Sequence, residues 1–328
     1  MTQLVPSLRQ PHPFLMSVLA GVLLIAITVY GFHGIQSAEA AGTLPGTGWV
    51  TILVLAATAA AWWLLGNLSA LKGWPLLSII VPAVFGISLL LGWEFICRGY
   101  GVPRVLLPAP SQVWDAFFRE LPTLIGDFRQ TFMKAVVAGF ILGNALGLAT
   151  ALIVDRVPFL QRGLLPLGNM VSAVPVIGIA PIMVMWFGFG WESKTAVIVF
   201  MIFFPMLVNA LAGLNAADAM QRDLMRSYAA GYWATLFKLR LPAALPFLFN
   251  ALKINSTLAL IGAIVAEFFG SPISGMGFRI SVEVARMNVD VVWATIAVAA
   301  LAGSLSYGLI ALLERRLTSW HASFRSRS

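Results

Sequence analysis

The stretch KTAVIVFMIFFPMLVNALAGL, Lys194–Leu214, decides the fold class. Its one charge stands at its first position, and the rest is almost wholly apolar. A helix that crosses a hydrocarbon core of ~30 Å needs about 20 such residues, because each adds only ~1.5 Å of rise. Working outward from it, seven further stretches have the same character, and eight spans are expected at roughly 14–32, 49–66, 75–97, 132–154, 165–187, 194–214, 244–266 and 291–313. Of the 328 residues, 59% are hydrophobic and 10% charged, whereas a soluble domain carries about 25% charged residues. The expected fold is therefore an all-α polytopic membrane protein.

The formal charge of +8 has two readings. Nucleic-acid binding needs basic residues clustered on a soluble module. Here they sit in short breaks between apolar stretches, which is the positive-inside pattern of a membrane protein; nucleic acid is not an expected partner, and the lipid bilayer is. The loop after the first span, His33–Gly48, has no Lys or Arg and is placed outside. Alternation then puts Lys72, Arg156, Arg162, Arg222, Arg226, Lys238 and Arg240 inside, with both termini. The segment Arg98–Arg129 strains the rule, being outside by alternation while holding four Arg. The first span is read as retained, although Ala38-Glu39-Ala40 resembles an A-x-A cleavage site. Cys97 is the single cysteine, so no disulfide is possible within the chain. His12, His33 and His321 lack any metal-ligand spacing.

Several local signals refine this picture. After the breaker Pro108-Ala109-Pro110, Ser111 is expected to cap a short amphipathic helix carrying Trp114, Phe117, Phe118 and Leu121 at the interface. Gly139, Gly143 and Gly147 recur every four residues, a period that lets another helix approach closely. In the fifth span, Pro175 and Pro181 flank Gly178 and are expected to break the helix; broken helices in transporters often mark the substrate path.

Directly after Leu214 comes NAADAMQRDLMRSYAAGYWATLFKLRLP, residues 215–242, too polar and too long for a simple turn. Asp218–Ala230 is a good helix former, ended at Ala230-Gly231, and a second short helix should run from Trp233 to a stop at Leu241-Pro242. Two short helices with apolar and charged faces are expected to make a docking knob for a soluble partner; the alternative is a solvated loop folded on its own bundle. This stretch resembles the cytoplasmic coupling loop, or EAA motif, of binding-protein-dependent permeases. Counting back from Leu241-Pro242, Asp223 falls on the family's Glu, Arg226-Ser227 on its Arg-Ser/Thr and Ala229 on its Gly, while LPAALP, Leu241–Pro246, matches as it stands. Asp keeps the charge on a shorter stem. Ala for Gly is easy only if the position does not need positive φ; otherwise the turn would use Gly231.

Further segments in order, among them Leu107–Ser111, Trp186–Gly190, Ala266-Glu267 and Gly275–Gly277, are similar to permeases for nitrate, taurine, alkanesulfonates and bicarbonate, a branch that also carries thiamine-pyrimidine precursors, riboflavin and aromatic carboxylates. The resemblance covers about residues 85–320. It implies a six-helix type I core at 75–320 with the coupling loop at 215–242, two added N-terminal helices within 1–74, and a basic tail at 321–328. It implies residence in a bacterial inner membrane, a homodimer of permeases, two ABC ATPase subunits and an extracytoplasmic substrate-binding protein. No G-x-x-x-x-G-K-[ST] loop is present, so the chain is expected to be no enzyme and to bind no cofactor, with ATP and Mg held by the partner ATPase. Asp223, Arg226, Ser227, Ala229, Gly231, Leu241 and Pro242 are the candidate coupling residues. Asp223 and Arg226 would either anchor the ATPase or pair with each other.

For the translocation pathway the candidates are Ser172, Pro175, Pro181, Met183, Trp186, Asn255 and Glu267. A carboxylate at the membrane depth of Glu267 is a functional candidate by default; its alternative reading is a charge hydrogen-bonded to the Gly270–Gly277 loop. The polar groups Asn169, Asn209, Asn250 and Ser256 either line the path or bond across helices. A small organic anion is the expected substrate, with a vitamin or pyrimidine precursor as alternative. A stand-alone secondary transporter, the rival class, would need coupling acids deep within spans.

Overall fold

The computed structural model describes residues 13–71, 74, 76–157, 159–160, 163, 174–270 and 273–319. Every described element is helical. They are α1 (Pro13–Ala40), α2 (Thr47–Ala70), α3 (Leu77–Gly99), α4 (Pro110–Arg119), α5 (Leu121–Phe128), α6 (Val137–Arg156), α7 (Val176–Phe187), α8 (Trp191–Asn215), α9 (Ala219–Ser227), α10 (Tyr232–Thr235), α11 (Leu241–Phe269), α12 (Met276–Ala285) and α13 (Val289–Leu317). Seven helical runs are long and apolar enough to cross a membrane, at seven of the eight expected places. Of the remaining span, 165–187, only the part from Val174 is described; it holds the shorter apolar helix α7.

Two of the runs are longer than expected. Leu121–Arg156 and Tyr232–Phe269 are continuous, each passing through a π-helical stretch, Arg129–Val136 and Leu236–Arg240. Leu241-Pro242 is thus not a stop, which corrects the expected end of the second short helix. Pro242 stands in the first turn of α11, where a missing N–H is harmless. The wider turn before it lets the Leu241 N–H bond the Leu236 carbonyl, five residues back.

The chain forms two compact units. In one, α1, α2 and α3 pack around Leu53, Ala57, Ala60, Ala61 and Phe95. Arg98 pairs with Glu39 at 2.5 Å and with Glu94 at 3.4 Å. Ser111 does not cap α4, contrary to expectation. Its own N–H and hydroxyl donate to Glu94, at 2.9 and 2.6 Å, so a carboxylate from α3 satisfies the orphan donors of the first turn. Gln112 reaches back to accept from the Ala109 N–H at 3.1 Å. Trp114 and Phe118 remain exposed on α4, as the amphipathic reading requires.

The other unit is built on α8, which lies against α6 on one side and α11 on the other. One core layer gathers Ala151, Val154, Leu207, Leu211 and Leu248; another gathers Val136, Ile198, Ile202, Ala259 and Ala263. The glycine period of α6 faces α8. A Cβ on Gly139 would meet Ile198, one on Gly143 would meet Ile202, and one on Gly147 would come within 2.7 Å of the Phe203 carbonyl. In lipid, where burial gives helices no drive to associate, such backbone approach supplies the packing. Backbone atoms cannot yield as a side-chain end can. Gly147→Val is therefore expected to destabilise the permease by about 1–3 kcal/mol. Gly66→Ala, with nothing within 4 Å of its Cβ, should raise stability by about 0.5–1 kcal/mol. Thermal unfolding in detergent compares the two.

Candidate functional site

The segment between α8 and α11 folds as its composition dictates, with one difference. Asp218 is the N-cap of α9 and accepts from the Met220 N–H at 3.4 Å. The helix is shorter than the expected 218–230 and stops at Ser227. Ala230 N–H bonds the Met225 carbonyl at 3.0 Å and Ala229 N–H the Arg226 carbonyl at 2.9 Å, the bond pair of a Schellman ending. That ending needs a left-handed residue, and Ala229 supplies it at φ 50°. Gly231 is extended at φ −65°, ψ 171° and begins α10. The turn therefore does not move to Gly231; the alanine takes the glycine's conformation and bears about 1–2 kcal/mol of steric strain.

No residue of α9 is buried. Met220 is 78% exposed, Leu224 56% and Tyr228 77%, an apolar surface that its own bundle leaves uncovered. Asp223 and Arg226 pair with each other at 3.3 Å, the second of the two expected arrangements, and both are largely exposed. An open pair of this kind contributes about 0.3–0.5 kcal/mol, little enough for either charge to take another partner. Ser227 bonds back to the Asp223 carbonyl. The far end of the segment is the opposite case: Arg240 is buried against Asp155 of α6 at 2.6 Å. Sequence reading took Arg240 only as a topology charge and gave Asp155 no role, because nothing in the sequence pairs residues 85 positions apart.

At the other end of α11 lies a buried polar cluster. Glu267 is 3% exposed. It accepts from the Thr131 hydroxyl at 2.7 Å and the Gly277 N–H at 2.6 Å, and Thr131 in turn accepts from the Met276 N–H at 2.7 Å. Asp127 accepts from the Gly275 N–H and from Arg279, both at 2.8 Å. Burial disfavours the Arg279 charge, but Asp127 and Glu283 outweigh it and hold the guanidinium above its ordinary value. Lys194 donates to the carbonyls of Phe189 and Gly270. Gly275, at φ 135°, has no room for a Cβ, because the Glu267 carboxylate fills that space. Glu267 is thus bonded to the loop that follows it, as its alternative reading had it.

The pathway candidates do not converge. Ser172 lies outside the described residues. Val174 and Pro175 are non-helical and Pro175 is the N-cap of α7, whereas Pro181 stands inside α7 without ending it. Met183 and Trp186 share an open groove of ≈ 660 Å³ with Leu142, Phe200 and Phe203. Asn255 is fully buried; its amide donates to Asn144 at 2.6 Å and to the Ile202 carbonyl at 3.1 Å, binding α11 to α6 and α8. Asn250 likewise reaches Asn209 at 3.5 Å.

Two outcomes follow from this geometry. Ala229→Gly should relieve the left-handed alanine and raise thermal stability by about 1 kcal/mol, read by unfolding in detergent. Glu267→Ala strips the acceptor from Thr131 and Gly277 and should destabilise by about 1–3 kcal/mol, whereas Glu267→Gln keeps an acceptor and should lose less; the same unfolding measurement ranks them.

Residues 143–319 match the family described as binding-protein-dependent transport system inner membrane component. A probable ABC transporter permease protein of Haemophilus influenzae is 32% identical over 66% of this chain and 88% of its own length. The riboflavin transport system permease protein of Chloroflexus aurantiacus is 29% identical over 76% of this chain and 92% of its own. The formylaminopyrimidine transport permease protein of Halalkalibacterium halodurans is 31% identical over 73% and 95%. Permeases named for aliphatic sulfonates, taurine, bicarbonate and nitrate match as well. With its helical runs, its glycine-packed core and its exposed coupling segment, the chain belongs to the binding-protein-dependent inner membrane components, the permease subunits of ABC importers, in the branch of the sulfonate, taurine, bicarbonate and nitrate permeases.

Proposed function

We propose that this permease carries a small organic anion inward, and that α9 is the surface on which the ATPase docks. The observation that carries the docking reading is the exposure of Met220, Leu224 and Tyr228 beside the weakly held Asp223–Arg226 pair. A helix at the polar end of a membrane bundle keeps such apolar surface when another protein covers it. In this reading 215–242 and both termini are cytoplasmic. Two permease copies enclose the pathway, two ATPases bind ATP and Mg, and a binding protein delivers substrate from outside. ATP hydrolysis belongs to the separate ATPase subunits, whose closure moves α9.

The anion is supported by the relatives named for sulfonates, taurine, nitrate and bicarbonate. A vitamin or pyrimidine precursor is the second reading. It is favoured by the riboflavin and formylaminopyrimidine relatives and by the groove that Trp186, Phe187, Trp191 and Phe200 line, suited to a flat ring. A stand-alone secondary carrier is less well supported: both carboxylate oxygens of Glu267 already accept hydrogen bonds from Thr131 and Gly277.

Co-purification with the cognate ATPase tests the docking surface. The wild-type permease should hold the ATPase through chromatography, and Asp223→Arg/Arg226→Glu should release it while still inserting and folding. Uptake into vesicles by the wild-type permease with no ATPase present would overturn the importer mechanism.

A further inference from the structure

We infer that Asp155 and Arg240 form a clamp that makes the coupling segment one rigid body with α6 and α8, and that Asp155 is thereby a positioning residue for ATP-driven transport. The inference rests on the reading that α9 receives the ATPase; it concerns what happens to a push once α9 has taken it.

The problem is mechanical. α9 has no buried residue and is joined to the bundle by short turns, Ala216–Asp218 on one side and Tyr228–Gly231 on the other. A helix so held would swing about its turns and pass little motion to the spans. What fixes the base on which those turns stand is a single guanidinium. Arg240 donates from Nη1 to Asp155 Oδ2 at 2.7 Å and from Nη2 to Asp155 Oδ1 at 2.6 Å, a two-pronged contact that fixes direction as well as distance. Its Nε donates to the Leu214 carbonyl at 2.9 Å, and Nη2 also reaches the Asn215 side-chain carbonyl at 3.5 Å. Leu214 and Asn215 are where the segment leaves α8, and Arg240 is where it joins α11. The one side chain therefore closes the base of the segment on itself and pins that base to the end of α6.

The surroundings reinforce the grip. The side chains of Asp155 and Arg240 are 5% and 15% exposed, so water competes little for the pair. The Tyr232 hydroxyl donates to Asp155 Oδ2 at 3.1 Å. The Arg156 guanidinium lies 4.6 Å from the Tyr232 ring centroid and 5.2 Å from that of Trp233, so α6 also holds α10. Leu236, 2% exposed, sits in the same core layer as Val154 and Leu214. The clamp thus joins α6, α8 and the π-helical stretch before α11 at the base of the segment. Motion that α9 passes to its base therefore reaches α6, α8 and α11 together.

The test reads rigidity, which a merely stabilising ion pair would not change, and needs no knowledge of the substrate. Spin labels are placed on Ile153→Cys of α6, exposed to the outside of the bundle, and on Gln221→Cys of α9, in a Cys97→Ala background. Labelled permease is mixed with an excess of unlabelled copies, so that each label pair lies within one copy, and assembled with its ATPase in nanodiscs; the distance distribution is measured by pulsed EPR without nucleotide and with ATP and vanadate. The wild-type clamp should give one narrow distribution that ATP leaves in place. Asp155→Asn should broaden it and make it shift with ATP, and Asp155→Glu should restore the narrow form. Should Asp155→Asn fail to insert, Arg240→Lys, which keeps the charge but loses the fork, is read by the same criterion. A distribution in the variants as narrow and as indifferent to ATP as in the wild type overturns the clamp; so does a wild-type distance that itself shifts with ATP, or loss of the ATPase from both variants, which would make the pair an assembly contact. Failure of the docking reading looks different: Asp223→Arg/Arg226→Glu would then retain the ATPase while the labels still report a rigid clamp.

Discussion

The close approach of α6 to α8, with Ile198 and Ile202 seated on Gly139 and Gly143 and the Phe203 carbonyl on Gly147, is the contact on which the larger unit depends. Apolar helices gain nothing by leaving lipid for one another, so association must come from dispersion at short range and from hydrogen bonds that lipid cannot replace. The glycines supply the first and permit the second. With α6 drawn against α8, its Asn144 comes within 2.6 Å of Asn255 on α11, and Asn255 also reaches the Ile202 carbonyl of α8. A side chain at the glycine positions would push the three helices apart and leave these amides facing hydrocarbon.

The same geometry repeats along the bundle. The run Leu121–Arg156 and the run Tyr232–Phe269 are antiparallel and joined by polar contacts at three levels: Asp155 with Arg240, Asn144 with Asn255, and Thr131 with Glu267. The polar residues of the two runs thus answer one another in register from end to end. Both runs include a π-helical stretch at the level of a terminal contact. An extra residue in a turn rotates the side chains after it relative to those before it, and so lets one continuous helix present Thr131 or Arg240 to its neighbour while keeping its apolar residues in the core.

How much of this the sequence disclosed follows from how local each signal is. Span positions depend on composition over about 20 residues and were legible. So was the coupling segment, because Asp218 caps its helix within two residues. The glycine period was legible as packing because its meaning is steric and needs no partner's identity. Pro242 was misread as a stop because a proline in the first turn of a helix and a proline after its end look alike in sequence. Ser111 was misread as a cap because the capping group, Glu94, comes from another helix. Ala229 shows the converse: tertiary and turn demands hold an alanine at φ 50° where propensity would choose glycine. The pathway was least legible. In a span that is apolar all round, no periodicity marks the face turned to a cavity; Asn255, singled out as polar, bonds across helices, the other arrangement its residue type allowed.

Polar contacts at three levels constrain motion as well as structure. Two helices joined only in the middle can scissor, and two joined only at one end can splay. Held at both ends and the centre, the α6 and α11 runs can neither scissor nor splay without separating a buried charge or amide from its partner, a loss of about 3–5 kcal/mol for an ion pair that is broken on one side. The ties of the remaining elements are of another kind. α7 is such an element: Met185 and Trp186 on it are largely exposed, and the groove at its side is lined by aromatic rings, which slide past one another at lower energetic cost than ion pairs part. Directional polar bonds tie α6, α8 and α11 to one another, whereas α7 is packed on α8 and α11 by apolar contact, Ala180 against Val197 and Ala266.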